Sequence, residues 1–139
     1  MQAKDFFTEV YRRGQIVEQT EERVDKLRSI AECSVSQIDP VKVQGSKGNR
    51  REDALIAFSD AQGELLEAVG VWMQHWNQAS AALEALEDEE AEFVFFLRYF
   101  HRLDWAEIAK KTPGTKAECI EIHRRALDAL GGIQFSGIT

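Results

Sequence analysis

Proline is almost missing from this chain, with Pro40 and Pro113 the only two. Proline fixes φ and removes a backbone donor, so its scarcity leaves two long stretches open to helix. Cysteine is equally rare. Cys33 and Cys119 fall in different expected helices without paired spacing, which argues against a disulfide or a zinc site and for two reduced thiols. The three histidines, His75, His101 and His123, are too scattered to suggest a metal. No apolar run approaches the roughly 20 residues that a membrane helix needs, and the first residues lack a signal peptide's apolar core. A protein of the bacterial cytoplasm, away from membranes, is the expectation. No glycine-rich loop follows a strand-like segment, and GSKGN lacks the phosphate-loop frame. Serine, cysteine and histidine show no nucleophile context, so neither an enzyme nor a cofactor is expected.

Basic residues are missing from one long region. The chain carries 17 Lys and Arg against 24 Asp and Glu, for a net charge of −7 over 139 residues. Residues 52 to 92 contain eleven acidic residues and no basic one. Residues 35 to 51 hold four basic residues against one acidic, and residues 93 to 139 hold seven against five. A polyanion such as DNA would therefore be admitted only at the connector and the carboxy-terminal part, and repelled elsewhere.

Helical periodicity dominates what is present. Leu55, Phe58, Gln62, Leu65, Val69, Trp72, Trp76, Ala79, Leu83 and Leu86 alternate steps of three and four, a heptad seam. A helix from about 50 to 86 would be roughly 55 Å long at 1.5 Å per residue and needs a partner. Phe6, Val10, Arg13, Val17, Thr20, Val24, Leu27 and Ala31 offer one. That seam is interrupted by Arg13 and Thr20 and weakened by Gly14, which costs about 1 kcal/mol of helix propensity. The connector SVSQIDPVKVQGSKGN is rich in turn formers, so the two helices are expected to fold back as an antiparallel hairpin.

Two tryptophans in one seam exceed what two helices bury easily, which points to further helices from another chain and a homodimer. FVFFLRYF, residues 93 to 100, adds to this. Phe93, Leu97 and Phe100 are expected to face inward, leaving Phe95, Phe96 and Tyr99 to pack on the helical hairpin or on a second subunit. The expected oligomer interface is Phe58, Leu65, Val69, Trp72, Trp76, Phe95, Phe96 and Tyr99.

Residues 103 to 127 read as two short amphipathic helices joined by a tight turn. Asp104 can cap one with Trp105, Ile108 and Ala109 inward. Thr115 can cap another with Cys119, Ile122, Ala126 and Leu127 inward. Thr112-Pro113-Gly114 separates them. This is the pattern of a helix-turn-helix, the commonest scaffold for placing a helix in a DNA groove, although helical hairpins in adaptor proteins share the spacing. The expected fold is therefore all-α. Residues 1 to 87 would form a long antiparallel hairpin with its connector at 35 to 49, 88 to 131 a three-helix helix-turn-helix module, and 132 to 139 a flexible tail.

The connector Lys42-Val43-Gln44-Gly45-Ser46 and the frame LRYFHRLDWAEIAKK with IHRRAL resemble small phage and prophage proteins that carry a sigma-factor region 4-like helix-turn-helix, similar to late transcription regulators of the RinA and ArpU type. The resemblance covers nearly the whole chain. It implies a phage-encoded, dimeric regulator of transcription that binds double-stranded DNA and contacts RNA polymerase or a repressor. It also implies that Thr115 to Leu130 is the recognition helix, presenting Thr115, Lys116, Ala117, Glu118, Ile120, Glu121, Arg124 and Arg125. Lys110 and Lys111 would join its basic face, and Arg125 and His123 would reach the backbone. Thr112 stands where the family usually has leucine, and Pro113 where its turn usually has glycine. The turn must therefore differ from one built on positive φ. A protein-interaction module with a redirected helix-turn-helix is the alternative. EALEDEEAE, residues 84 to 92, would suit a basic partner surface, as it would a solvated helix junction.

Overall fold

The computed structural model describes residues 1–36 and 45–136, with side chains described for 1–33 and 50–136. Much of the expected connector lies outside the described residues. The described chain is all-α. Helix α1 spans Ala3–Ser36 and α2 spans Gly45–Ala85. Helix α3, Glu89–Phe95, runs into a π-helical turn at Phe96–Phe100, and α4, Trp105–Lys111, and α5, Lys116–Ala129, complete the order. No described helix is long and apolar enough to cross a membrane.

Two compact units divide the chain, one of residues 16–70 and the other of residues 1–15 with 71–139. In the 16–70 unit, Arg23 pairs with Glu64, and the Arg28 guanidinium lies 5.7 Å from the Phe58 ring. Residue numbers thus rise on α1 as they fall on α2, which is the antiparallel pairing expected from the two seams. The α1 seam is the expected one, with Val17, Val24 and Ala31 buried. Thr20 satisfies its hydroxyl by donating to the Ile16 carbonyl, at 2.7 Å. The α2 seam is rotated slightly. Ala61 is buried while Leu55 and Gln62 face solvent, because the small alanine admits the facing helix and the amide of Gln62 keeps its water.

The other unit has its core where the ends of the long helices meet α3 and α5. Phe6, Phe7, Val10, Ala79, Leu83, Ala91, Phe95, Ala126, Leu130 and Phe135 form one buried cluster. Gly14 has a packing reason that its propensity hides: a Cβ there would lie 3.2 Å from Trp72 Nε1 and 3.0 Å from Arg102 Cδ. Residues 132–136 are not the flexible tail expected from composition. Phe135 is 3 % exposed, stacks on Phe6 at 4.4 Å, and donates its N–H to the Met1 carbonyl at 2.9 Å. One aromatic side chain suffices to dock a segment that otherwise reads as a tail.

The aromatic segment also departs from its expected phase. Phe93 is 44 % exposed and Phe95 is buried, whereas Leu97 is buried as expected. A π-turn follows. His101 N–H donates to the Phe96 carbonyl, an i to i−5 bond that widens the turn and swings the residues after Phe95 off the 3.6-residue phase. Phe96 and Phe100 then cover the tryptophans. Trp72 stacks on Phe100 at 4.6 Å, and Trp76 lies 5.8 Å from Phe96 and 5.2 Å from Phe100. The covering expected from a second chain is supplied in part by this one.

Candidate nucleic-acid interface

Helices α4 and α5 meet the π-turn through Ile108, Cys119 and Leu97, with Phe96, Leu103 and Trp105 half-buried around them. Both helices begin as the sequence indicates. The Asp104 carboxylate accepts from Glu107 N–H at 2.8 Å, and Thr115 Oγ1 accepts from Glu118 N–H at 3.2 Å, each cap residue lying in extended backbone. Between them Thr112 is extended, as the residue before a proline prefers to be. No described glycine has positive φ, so the turn avoids the conformation that Pro113 was expected to exclude. Thr112 Oγ1 reaches Cys119 Sγ at 3.2 Å, a polar contact that a leucine at this position could not make. Gly114 leaves room for Glu118, whose Oε2 would lie 3.0 Å from an added Cβ.

One face of α5 is spent on packing. Cys119 and Ala126 are buried, and Ile122 and Leu127 are half-buried. The opposite face presents Lys116, Ala117, Glu118, Ile120, Glu121, Arg124 and Arg125, all exposed, and Lys110 and Lys111 are exposed at the end of α4. The expected DNA-binding residues are therefore all exposed to solvent, although the Thr115 hydroxyl is engaged as a cap. Their charge states differ. Arg124 donates to both Glu121 carboxylate oxygens, at 3.0 and 2.6 Å, and to Asp128 at 3.0 Å, so its charge is largely compensated. Lys110, Lys111, Lys116 and Arg125 make no ion pair with a described residue.

Comparison with protein-family models, curated proteins and solved structures finds no match.

The surface rests on an aromatic support that spacing did not reveal. His123 does not reach outward. Its Nε2 lies 2.5 Å from Tyr99 Oη, its ring stacks on Phe95 at 4.9 Å, and Trp105 meets it edge-on at 5.1 Å. Burial lowers its pKa to about 4, helped by the Arg98 charge, and burial raises that of Tyr99 to about 12. Both are therefore neutral near pH 7, as a dry support requires. Arg98, the lone charge in FVFFLRYF, lies 5.4 Å from the Tyr11 ring and 5.2 Å from the Trp105 ring, and donates to the Leu103 carbonyl at 2.9 Å. It fixes the loop that leads into α4, where Arg102 adopts positive φ of 56°. A charge inside an apolar run was the available signal.

Of the expected oligomer residues, Phe95 is fully buried in its own chain and has no surface to offer a partner. Phe58, Leu65, Val69, Trp72, Trp76, Phe96 and Tyr99 are half-buried. The largest apolar exposures among the described residues of the 16–70 unit are instead Leu66 at 75 %, Ile30 at 53 % and Ile56 at 52 %.

Proposed function

We propose that α4, its turn and α5 form a helix-turn-helix that binds double-stranded DNA, with α5 as the reading helix, and that the chain is a transcription regulator of the phage type. One observation carries this reading. The second of two capped helices, joined by a four-residue turn, lays one face on the first and turns the other outward, and the unpaired cations Lys110, Lys111, Lys116 and Arg125 gather on these two helices. Lys116 lies at the start of α5, where the helix dipole adds to its attraction for phosphate. Lys110, Lys111 and Arg125 hold the backbone, and Ala117, Ile120 and Glu121 face the bases. Ile120 suits a thymine methyl, and Glu121 a cytosine amino group.

Four phosphate contacts per chain give modest affinity, so the regulator works as a dimer that doubles them. Exposed Ile56 and Leu66 in the 16–70 unit support that element. Gly63 and Gly70 support it too, since an added Cβ at either meets no atom of this chain within 4 Å and a second helix could approach closely there. RNA polymerase or a repressor would then be a protein partner at the promoter. A second reading, in which α5 docks on a protein instead, is favoured by the compensation of Arg124 and the exposure of Ile120.

Binding to duplex DNA, titrated across salt, tests the proposal. Lys116→Ala with Arg125→Ala should lower the salt slope by about 2 per bound chain, at roughly 0.9 per released contact, whereas Arg124→Ala should change it by less than about 0.5 per chain. An unchanged slope in the double variant would remove α5 from the interface and leave the protein-docking reading.

A further inference from the structure

Two concavities meet at Phe93. The first is a cavity of about 220 Å³ walled by Phe93, Val94, Pro113 and Ile122, with Cys119 also lining it. The second is an open groove of about 540 Å³ along Trp76, Leu83, Phe93 and Phe96. A lone exposed phenylalanine is ordinary, but one that divides two apolar hollows is part of a continuous patch. Every ionisable side chain on the rims, other than the Cys119 thiol, is a carboxylate: Glu90 and Glu118 at the cavity, Glu84, Glu89 and Glu92 at the groove.

The helix dipole accounts for part of this, since Glu89, Glu90 and Glu92 stand in the first turn of α3 and Glu118 in that of α5. It does not account for Glu84 near the end of α2, nor for aromatic rings left open between the carboxylates.

We propose that this acidic, aromatic surface is a docking site for a basic amphipathic segment of a partner protein. An apolar side chain of that segment fills the cavity beside Pro113. Its arginines or lysines lie over Phe93 and Trp76 and pair with Glu84, Glu89 and Glu92, where ring quadrupole and carboxylate attract the same cation. The charge selects the occupant. Nucleic acid and anionic lipid are repelled, and the matching region of a second copy is itself acidic, because residues 52 to 92 contain no lysine or arginine. The inference does not depend on DNA binding by α5.

The test uses the whole chain and a synthetic helical peptide of leucine and arginine, with a glutamate-for-arginine peptide as control. Amide shifts should move at Glu84, Glu89, Phe93 and Val94 with the arginine peptide and not with the control. Phe93→Ala should weaken binding about tenfold and added salt should weaken it further. Glu89→Gln with Glu92→Gln, one exposed and one half-buried isosteric change, should do the same should Phe93→Ala disturb folding. Shifts confined to residues 52–67, or undiminished affinity in both variants, would overturn the proposal. Self-association without peptide that Phe93→Ala abolishes would overturn it as well, because a second copy would then be the occupant.

Discussion

Phe135→Ala separates a docked carboxy-terminal segment from a loose tail. The Phe135 ring stacks on Phe6 at 4.4 Å, meets Phe7 edge-on at 6.1 Å, and is 3 % exposed. A buried phenylalanine removes roughly 150–250 Å² from water, about 4–6 kcal/mol at ~25 cal/mol/Å², as an upper bound that ignores order in the unfolded chain. The site lies near a chain end and can relax, which places the cost at about 3 kcal/mol, the low end for phenylalanine truncation. Urea denaturation followed by far-ultraviolet circular dichroism should show the midpoint falling with the slope unchanged, and the melting temperature dropping by roughly 10 °C. Gln134→Ala, beside it and exposed, should change stability by less than about 0.5 kcal/mol. A loss below about 0.5 kcal/mol for Phe135→Ala would refute the docked segment and restore the loose tail.

Three further perturbations follow. His123, held to a pKa of about 4 against an ordinary 6.5, refuses a proton that the unfolded chain accepts, so stability falls as pH drops from about 6.5 to 4 and then levels off. The full shift corresponds to about 3 kcal/mol, and solvent screening of a partly buried ring leaves about 1–2. The stability of His123→Gln should lack that slope, so its difference from wild type should change between about pH 6.5 and 4 and be flat outside that window; a pH-independent difference would contradict it. Thr115→Ala should cost about 1 kcal/mol through the lost cap on α5, with a similar loss for Asp104→Ala on α4, both read from urea midpoints. Arg98→Met should cost about 2 kcal/mol by removing the bond to the Leu103 carbonyl and the contacts with Tyr11 and Trp105, and Arg98→Lys should recover less than half, since a point charge cannot reproduce a planar guanidinium between two rings.

Local signals were legible where neighbours along the chain decide the outcome. Asp104 and Thr115 cap the helices that their spacing indicates, and Cys119, Ile122 and Ala126 turn inward, because a cap and an amphipathic stripe need no distant partner. The α1 seam was legible for the same reason, including its buried valines. The aromatic segment was not. Leu97 faces inward as its spacing indicates, but Phe93 and Phe95 trade places, and a π-turn, which depends on tertiary packing, shifts phase after Phe95 and brings Phe96 and Phe100 onto Trp72 and Trp76. Phe135 was missed because a single apolar residue among polar neighbours has no period to read. At the candidate interface, residue types and face were readable, whereas the compensation of Arg124 by Glu121 and Asp128 is a matter of rotamers that composition cannot supply.

Mapping the amides of the whole chain while duplex DNA is added at low salt tests the central claim most directly. The account predicts shifts or broadening at Lys110, Lys111, Lys116, Ala117, Ile120 and Arg125, reversed by added salt, with little change at Glu84 or Phe93. Shifts at α3 or along residues 52–70 without any on α5, or none at low salt, would contradict it.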